Sequence, residues 1–144
     1  MTPHYVEPLF RPPAEAGSLI FQVAYGCPHN GCRFCGMYKG VPYRLRTEEE
    51  LAAEIRRAGV AYPRVRRIFL ADGDVMAIGF DRVHRILAEL GAAFPFLSRV
   101  SSYANGSSIA RYRESELEAL RGLKLHTLYV GLETGMQQLL DRVG

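Results

Sequence analysis

Four short apolar runs recur along the chain: SLIFQVAYG (18–26), VRRIFLA (65–71), SRVSSYA (98–104) and HTLYVGLE (126–133). Each leads into a stretch with helical spacing, and this alternation constrains the fold more than any other feature. A strand that is apolar throughout is buried on both faces. Strands of that kind, joined by helices, pair in parallel through right-handed crossovers. The expected class is therefore α/β with a parallel sheet.

The helical stretches carry their own start and stop signals. In RTEEELAAEIRRAG (46–59), Thr47 and Glu50 form a capping box. Leu51, Ile55 and Ala58 then share one face, and Gly59 marks the stop. Val83, Ile86, Leu87 and Leu90 repeat the spacing with Asp81 as N-cap, and Ser115 with Glu118 makes a second capping box around Leu117 and Leu120. A further helix begins in GMQQLLDRVG (135–144). Residues 1–17 hold four of the eight prolines, and Pro12 and Pro13 point to an extended lead-in ahead of one domain over 18–144. The polar, glycine-containing stretches 27–40, 72–79, 104–108 and 133–135 all follow strands. In parallel α/β folds that end of the sheet binds ligands, so these loops are expected to line one crevice.

Composition narrows the function classes. A hydrophobic content of 48% in 144 residues suits one globular domain with a real core. The net charge of +3 arises from interspersed signs, so no nucleic-acid footprint is present, and RVRR (64–67) reads as the solvated start of a strand. No apolar run approaches the ~20 residues of a membrane helix, and the N-terminus lacks the pattern of a secretion signal. The expected compartment is the cytoplasm, where thiols stay reduced.

The three cysteines, Cys27, Cys32 and Cys35, fall together in GCPHNGCRFCGMYKG (26–40). Their number and closeness argue against a disulfide framework and for metal or cluster ligation. A structural zinc site would need a fourth ligand, and His29 is too near Cys27 to turn back easily to the same ion. An iron–sulfur cluster is normally held by four thiolates. With three, one iron stays open, which is what a coordinating substrate or cofactor requires. A zinc-stabilised α/β module and an open cluster are both compatible with the residues.

Cys27-x4-Cys32-x2-Cys35 after a first buried strand, with Phe34 before the last cysteine, resembles the radical S-adenosylmethionine superfamily over roughly residues 18–144. The resemblance implies a partial (β/α) barrel of parallel strands, with about four strand–helix units of the six in that core. It also implies a 4Fe-4S cluster on the three cysteines, with S-adenosyl-L-methionine chelating the open iron through its amino and carboxylate groups. Reductive cleavage would give a 5′-deoxyadenosyl radical for hydrogen abstraction, with an electron donor such as flavodoxin or ferredoxin as partner. Where the family has Gly-Gly-Glu after its second strand, this chain has Asp72-Gly73-Asp74, implying backbone contact with the methionine amine. GLETG (131–135) resembles the family segment whose acid meets the ribose, which implicates Glu133. Ser101, Ser102 and Asn105 are similar in type to residues at the methionine end, and Tyr25 and Phe34 would shield the cluster. The cysteine spacing is one residue longer than the family's commonest, and the fifth and sixth strands are missing. A truncated chain, a non-catalytic cluster-binding fragment, or half of a split protein whose partner supplies strands is the expectation that follows.

Overall fold

The computed structural model describes residues 9–28, 40, 42–71, 73–131 and 135–143. Its strands are β1 (Leu19–Gln22), β2 (Ala24–Tyr25), β3 (Arg44–Leu45), β4 (Arg67–Ala71), β5 (Arg99–Tyr103) and β6 (Leu125–Tyr129). Its α-helices are α1 (Glu48–Ala61), α2 (Phe80–Ala93), α3 (Gly106–Ile109), α4 (Glu114–Gly122) and α5 (Gln137–Val143). The main sheet runs β1-β4-β5-β6, all neighbours parallel. Each of these strands is thus added beside its predecessor, as in the arc of a barrel.

The two faces of the sheet differ. Phe21, Leu70, Ser102 and Leu128 lie in one row across the strands, and Ile20, Phe69, Ser101 and Thr127 in the next. The first row faces the helices. Leu51, Ile55 and Ala58 of α1, Val83, Ile86, Leu87 and Leu90 of α2, and Leu120 of α4 join Phe21, Ile68, Leu70 and Val100 in one core. Each such Leu, Ile or Phe contributes about 1.5–3 kcal/mol by leaving water. The second row forms the inner face, where Ile20, Phe69 and Ala71 pack with Leu9, Tyr103 and Tyr129. Phe69 and Tyr103 meet edge-on at 5.3 Å. With every crossover helix on one side, the fold is α/β and forms a partial (β/α) barrel.

Several local expectations change. The run 18–26 is not one strand: after Gln22 the chain leaves the main sheet, and β2 pairs antiparallel with β3. Gly59 does not stop α1 but lies inside it, where an added Cβ would sit 2.6 Å from the Ala93 carbonyl oxygen of α2. The residue is small because two helices approach there. Gly79, at φ 97°, takes the N-cap place before α2, leaving Asp81 in the first turn. Helix α4 starts earlier than Ser115: the Glu116 carboxylate accepts a 2.9 Å hydrogen bond from the Arg113 amide. The Thr47–Glu50 box of α1 forms as expected, at 3.2 and 3.3 Å.

The lead-in is more ordered than its prolines imply. Pro13–Glu15 makes a 3-10 turn, since proline fits a first helical position where no amide partner is needed. Glu15 is fully buried by it, accepting hydrogen bonds from the Ser18 hydroxyl at 2.5 Å and the Tyr129 hydroxyl at 2.8 Å. Arg99 pairs with the same carboxylate at 3.2 Å. Burial opposes ionisation of Glu15, but the Ser18 and Tyr129 hydrogen bonds and the Arg99 charge together hold its carboxyl below the usual value. Among the described residues, no helix is long and apolar enough to cross a membrane.

Candidate functional site

The cysteine loop is bracketed by the β2–β3 pair. Ala24 faces Leu45 and Tyr25 faces Arg44, whose guanidinium lies 4.9 Å over the Tyr25 ring. Just beyond β3, the Arg46 amide donates to the Val23 carbonyl at 3.2 Å and its guanidinium to the Gln22 carbonyl at 3.1 Å. The two ends of the loop are therefore pinned to the end of β1. Cys27, half-buried and not in a disulfide, stands two residues past β2. Cys32, Cys35 and Phe34 lie outside the described residues.

The loop after β4 comes up against Cys27. Gly73 has φ +28°, and a Cβ on it would lie 2.6 Å from the Cys27 Cβ, 2.7 Å from its Cα and 2.9 Å from its Sγ. Only a residue without a side chain fits there. Asp72 lies outside the described residues. Asp74 is 6% exposed. Its Oδ1 accepts the Asn105 amide at 3.1 Å, and its Oδ2 accepts the Ser108 hydroxyl at 2.6 Å. The Tyr112 hydroxyl donates to the Met76 carbonyl at 2.5 Å, fastening the same loop a second time. Burial first, then the nearby Asp74 and Glu116 charges, push the Tyr112 phenol up to about 12.

The structure thus brings Cys27, Gly73, Asp74 and the Asn105 backbone together at the C-terminal rim of the sheet. Asn105 itself is exposed. Ser102 is not part of this group. It shares the helix-facing row with Leu70 and Leu128, is buried, and donates its hydroxyl to the Tyr103 carbonyl at 2.8 Å. Ser101 lies on the inner row, fully buried. Glu133 lies outside the described residues.

Three side chains at this rim escape a reading of the sequence. Ser108 and Tyr112 act across 34 and 36 residues, a separation without any local signature. Tyr43 is the third. Burial, with the Asp74 charge next and the Cys27 thiol adding to it, raises its phenol above the usual value against Arg82. Continuing the β2–β3 register by one pair sets Tyr43 opposite Gly26, a position that follows only once the hairpin is known.

The family model described as Radical SAM superfamily matches residues 21–144. No curated protein matches the chain.

Proposed function

The chain belongs to the radical SAM superfamily, and on that premise we propose that Cys27, Cys32 and Cys35 hold a 4Fe-4S cluster whose open iron takes S-adenosyl-L-methionine. The contact between Gly73 and Cys27 carries this reading. A thiol at the ligand-binding end of a parallel sheet is packed so closely by Gly73 that no Cβ fits between them, which sets the backbone after β4 directly beside the first cysteine of the triplet. The donor set fits the group as well, because thiolates are the usual ligands of such clusters.

When bound, the cluster and S-adenosylmethionine would supply one-electron cleavage of a sulfonium C–S bond and a 5′-deoxyadenosyl radical that takes hydrogen from a substrate. This chain's own residues bind and orient. The backbone of Asp72 to Asp74 would receive the methionine amine, Glu133 the ribose hydroxyls, and Phe34 would exclude water. Asn105 contributes its backbone to the rim, while the Ser102 hydroxyl, already committed under the helices, is withdrawn from the cofactor set. An acceptor for external electrons needs a donor of the flavodoxin or ferredoxin type, and reduced thiolates suit the cytoplasm.

A second reading, a cluster-binding piece that acts only with a partner, is favoured by the sheet edge. Strand β6 pairs with β5 on one side and with no strand on the other among the described residues. Val130, directly after that strand, is exposed. A further parallel strand from a partner would pair with the open edge.

The test is incubation of the anaerobically reconstituted protein with dithionite and S-adenosylmethionine. Formation of 5′-deoxyadenosine supports the enzyme. An intact cluster without that product supports the partner-dependent reading, and zinc in place of iron overturns both.

A further inference from the structure

Asp74 is a buried carboxylate one peptide link from the glycine that covers Cys27. Burying such a charge is costly unless hydrogen bonds replace its water. Here both oxygens are engaged, and neither partner is local: the Asn105 backbone amide and the Ser108 hydroxyl come from the N-cap and body of α3, 31 and 34 residues on. Tyr112 holds the Met76 carbonyl from the same direction. Asp74 therefore joins two rim loops. Gly73 can move off Cys27 only if this junction opens or its own backbone changes.

We infer that Asp74 is a positioning residue, whose carboxylate, anchored by Asn105 and Ser108, locks Gly73 over Cys27. The inference rests on the proposed function for its purpose, since the locked backbone is the one assigned to the methionine amine. It does not rest on that function for its geometry. A direct ligand would use Asp74 independently of Ser108. A positioning residue acts through its anchors, so once the Asp74 carboxylate is gone the further loss of the Ser108 hydroxyl adds nothing.

Thiol reactivity tests the lock without any cofactor. In a Cys32→Ser/Cys35→Ser background Cys27 is the sole thiol, and its rate of alkylation by iodoacetamide reads how firmly Gly73 covers it. Asp74→Ala and Ser108→Ala should each raise that rate about tenfold, the weight of a hydrogen bond to a charged group. The double variant should be no faster than the faster single one, because residues in one network are not additive. Asp74→Asn keeps an acceptor for the Asn105 amide and should restore much of the protection. The exposed Ser107→Ala should change nothing. Circular dichroism establishes that each variant is folded, and Ser108→Ala and Asp74→Asn decide the matter if Asp74→Ala is not. Rates within about twofold of the parent in the folded variants overturn the lock, and so do fully additive effects.

A second arm reads the consequence for the cofactor. In the three-cysteine chain, reconstituted with iron and sulfide, Asp74→Ala should leave the iron content unchanged while weakening S-adenosylmethionine about tenfold in a titration of the cluster's paramagnetic signal. Unchanged affinity overturns the assigned purpose. If the parent chain takes up no iron, the proposed function fails, and the alkylation rates still decide the lock.

Discussion

Arg46 and Glu54 meet at 2.6 Å with only 8% and 6% of their side chains exposed, just beneath the bracket that closes the cysteine loop. Arg46 also holds the Gln22 carbonyl, and its own carbonyl accepts from Arg82 of α2. Replacing one member of a buried pair leaves the other as an uncompensated charge. Glu54→Ala should therefore lower stability by about 3–5 kcal/mol, read as a fall in the urea midpoint at unchanged slope. A loss below about 1 kcal/mol, the value of an exposed pair, would contradict the structural role given to Arg46.

Gly73→Ala should damage the site more than the fold. The new methyl group meets Cys27 Cα and Cβ, which cannot swing away as the end of a flexible side chain can, and the backbone at φ +28° disfavours any side chain. A global cost of about 1–3 kcal/mol is expected from overpacking. Iron and sulfide analysis after reconstitution should show most of the cluster lost at a temperature where circular dichroism reports a folded chain. Full iron content would contradict the close approach.

Two helical glycines give opposite signs for one substitution. Gly91→Ala in α2 meets nothing within 4 Å, so it should gain about 0.5–1 kcal/mol from helix propensity. Gly59→Ala in α1 meets the Ala93 carbonyl oxygen at 2.6 Å and should lose about 1–3 kcal/mol instead. Thermal melts of the two variants against the parent check both. A stabilised Gly59→Ala would mean that α1 and α2 are not in contact there.

Glu15 links stability to acid. Its carboxyl is held below the ordinary value of 4.5, so the folded state binds this proton less readily than the unfolded chain. The resulting stability is present above the ordinary value and is lost as pH falls through the lowered one. Melting temperatures measured downward from neutral pH should fall less steeply below pH 4.5 in Glu15→Gln than in the parent. Equal slopes would contradict the contribution of Ser18, Tyr129 and Arg99 to holding the ionised form.

Much of the frame was legible because its signals are local. The apolar runs at 65–71 and 98–104 contain β4 and β5, and the Thr47–Glu50 box opens α1 where its residues demand. Contacts between distant segments were not legible. Gly59 reads as a stop until Ala93 is seen beside it, and Glu15 reads as part of an extended tail until Tyr129, 114 residues away, donates to it. Helix α4 begins at Glu114 because Glu116 reaches the Arg113 amide, a choice between two overlapping starts that the Ser115–Glu118 spacing obscures. At the rim, Gly73 could be marked from its place after a strand. The role of Asp74 depends on Ser108, which sits in the four-residue helix α3 with no signal of its own.

Electron paramagnetic resonance of the anaerobically reconstituted, dithionite-reduced chain tests the central claim most directly. The account predicts a reduced four-iron signal that shifts when S-adenosylmethionine is added, and that is lost in Cys32→Ala. A signal indifferent to S-adenosylmethionine, or one that survives intact in Cys32→Ala, would contradict it.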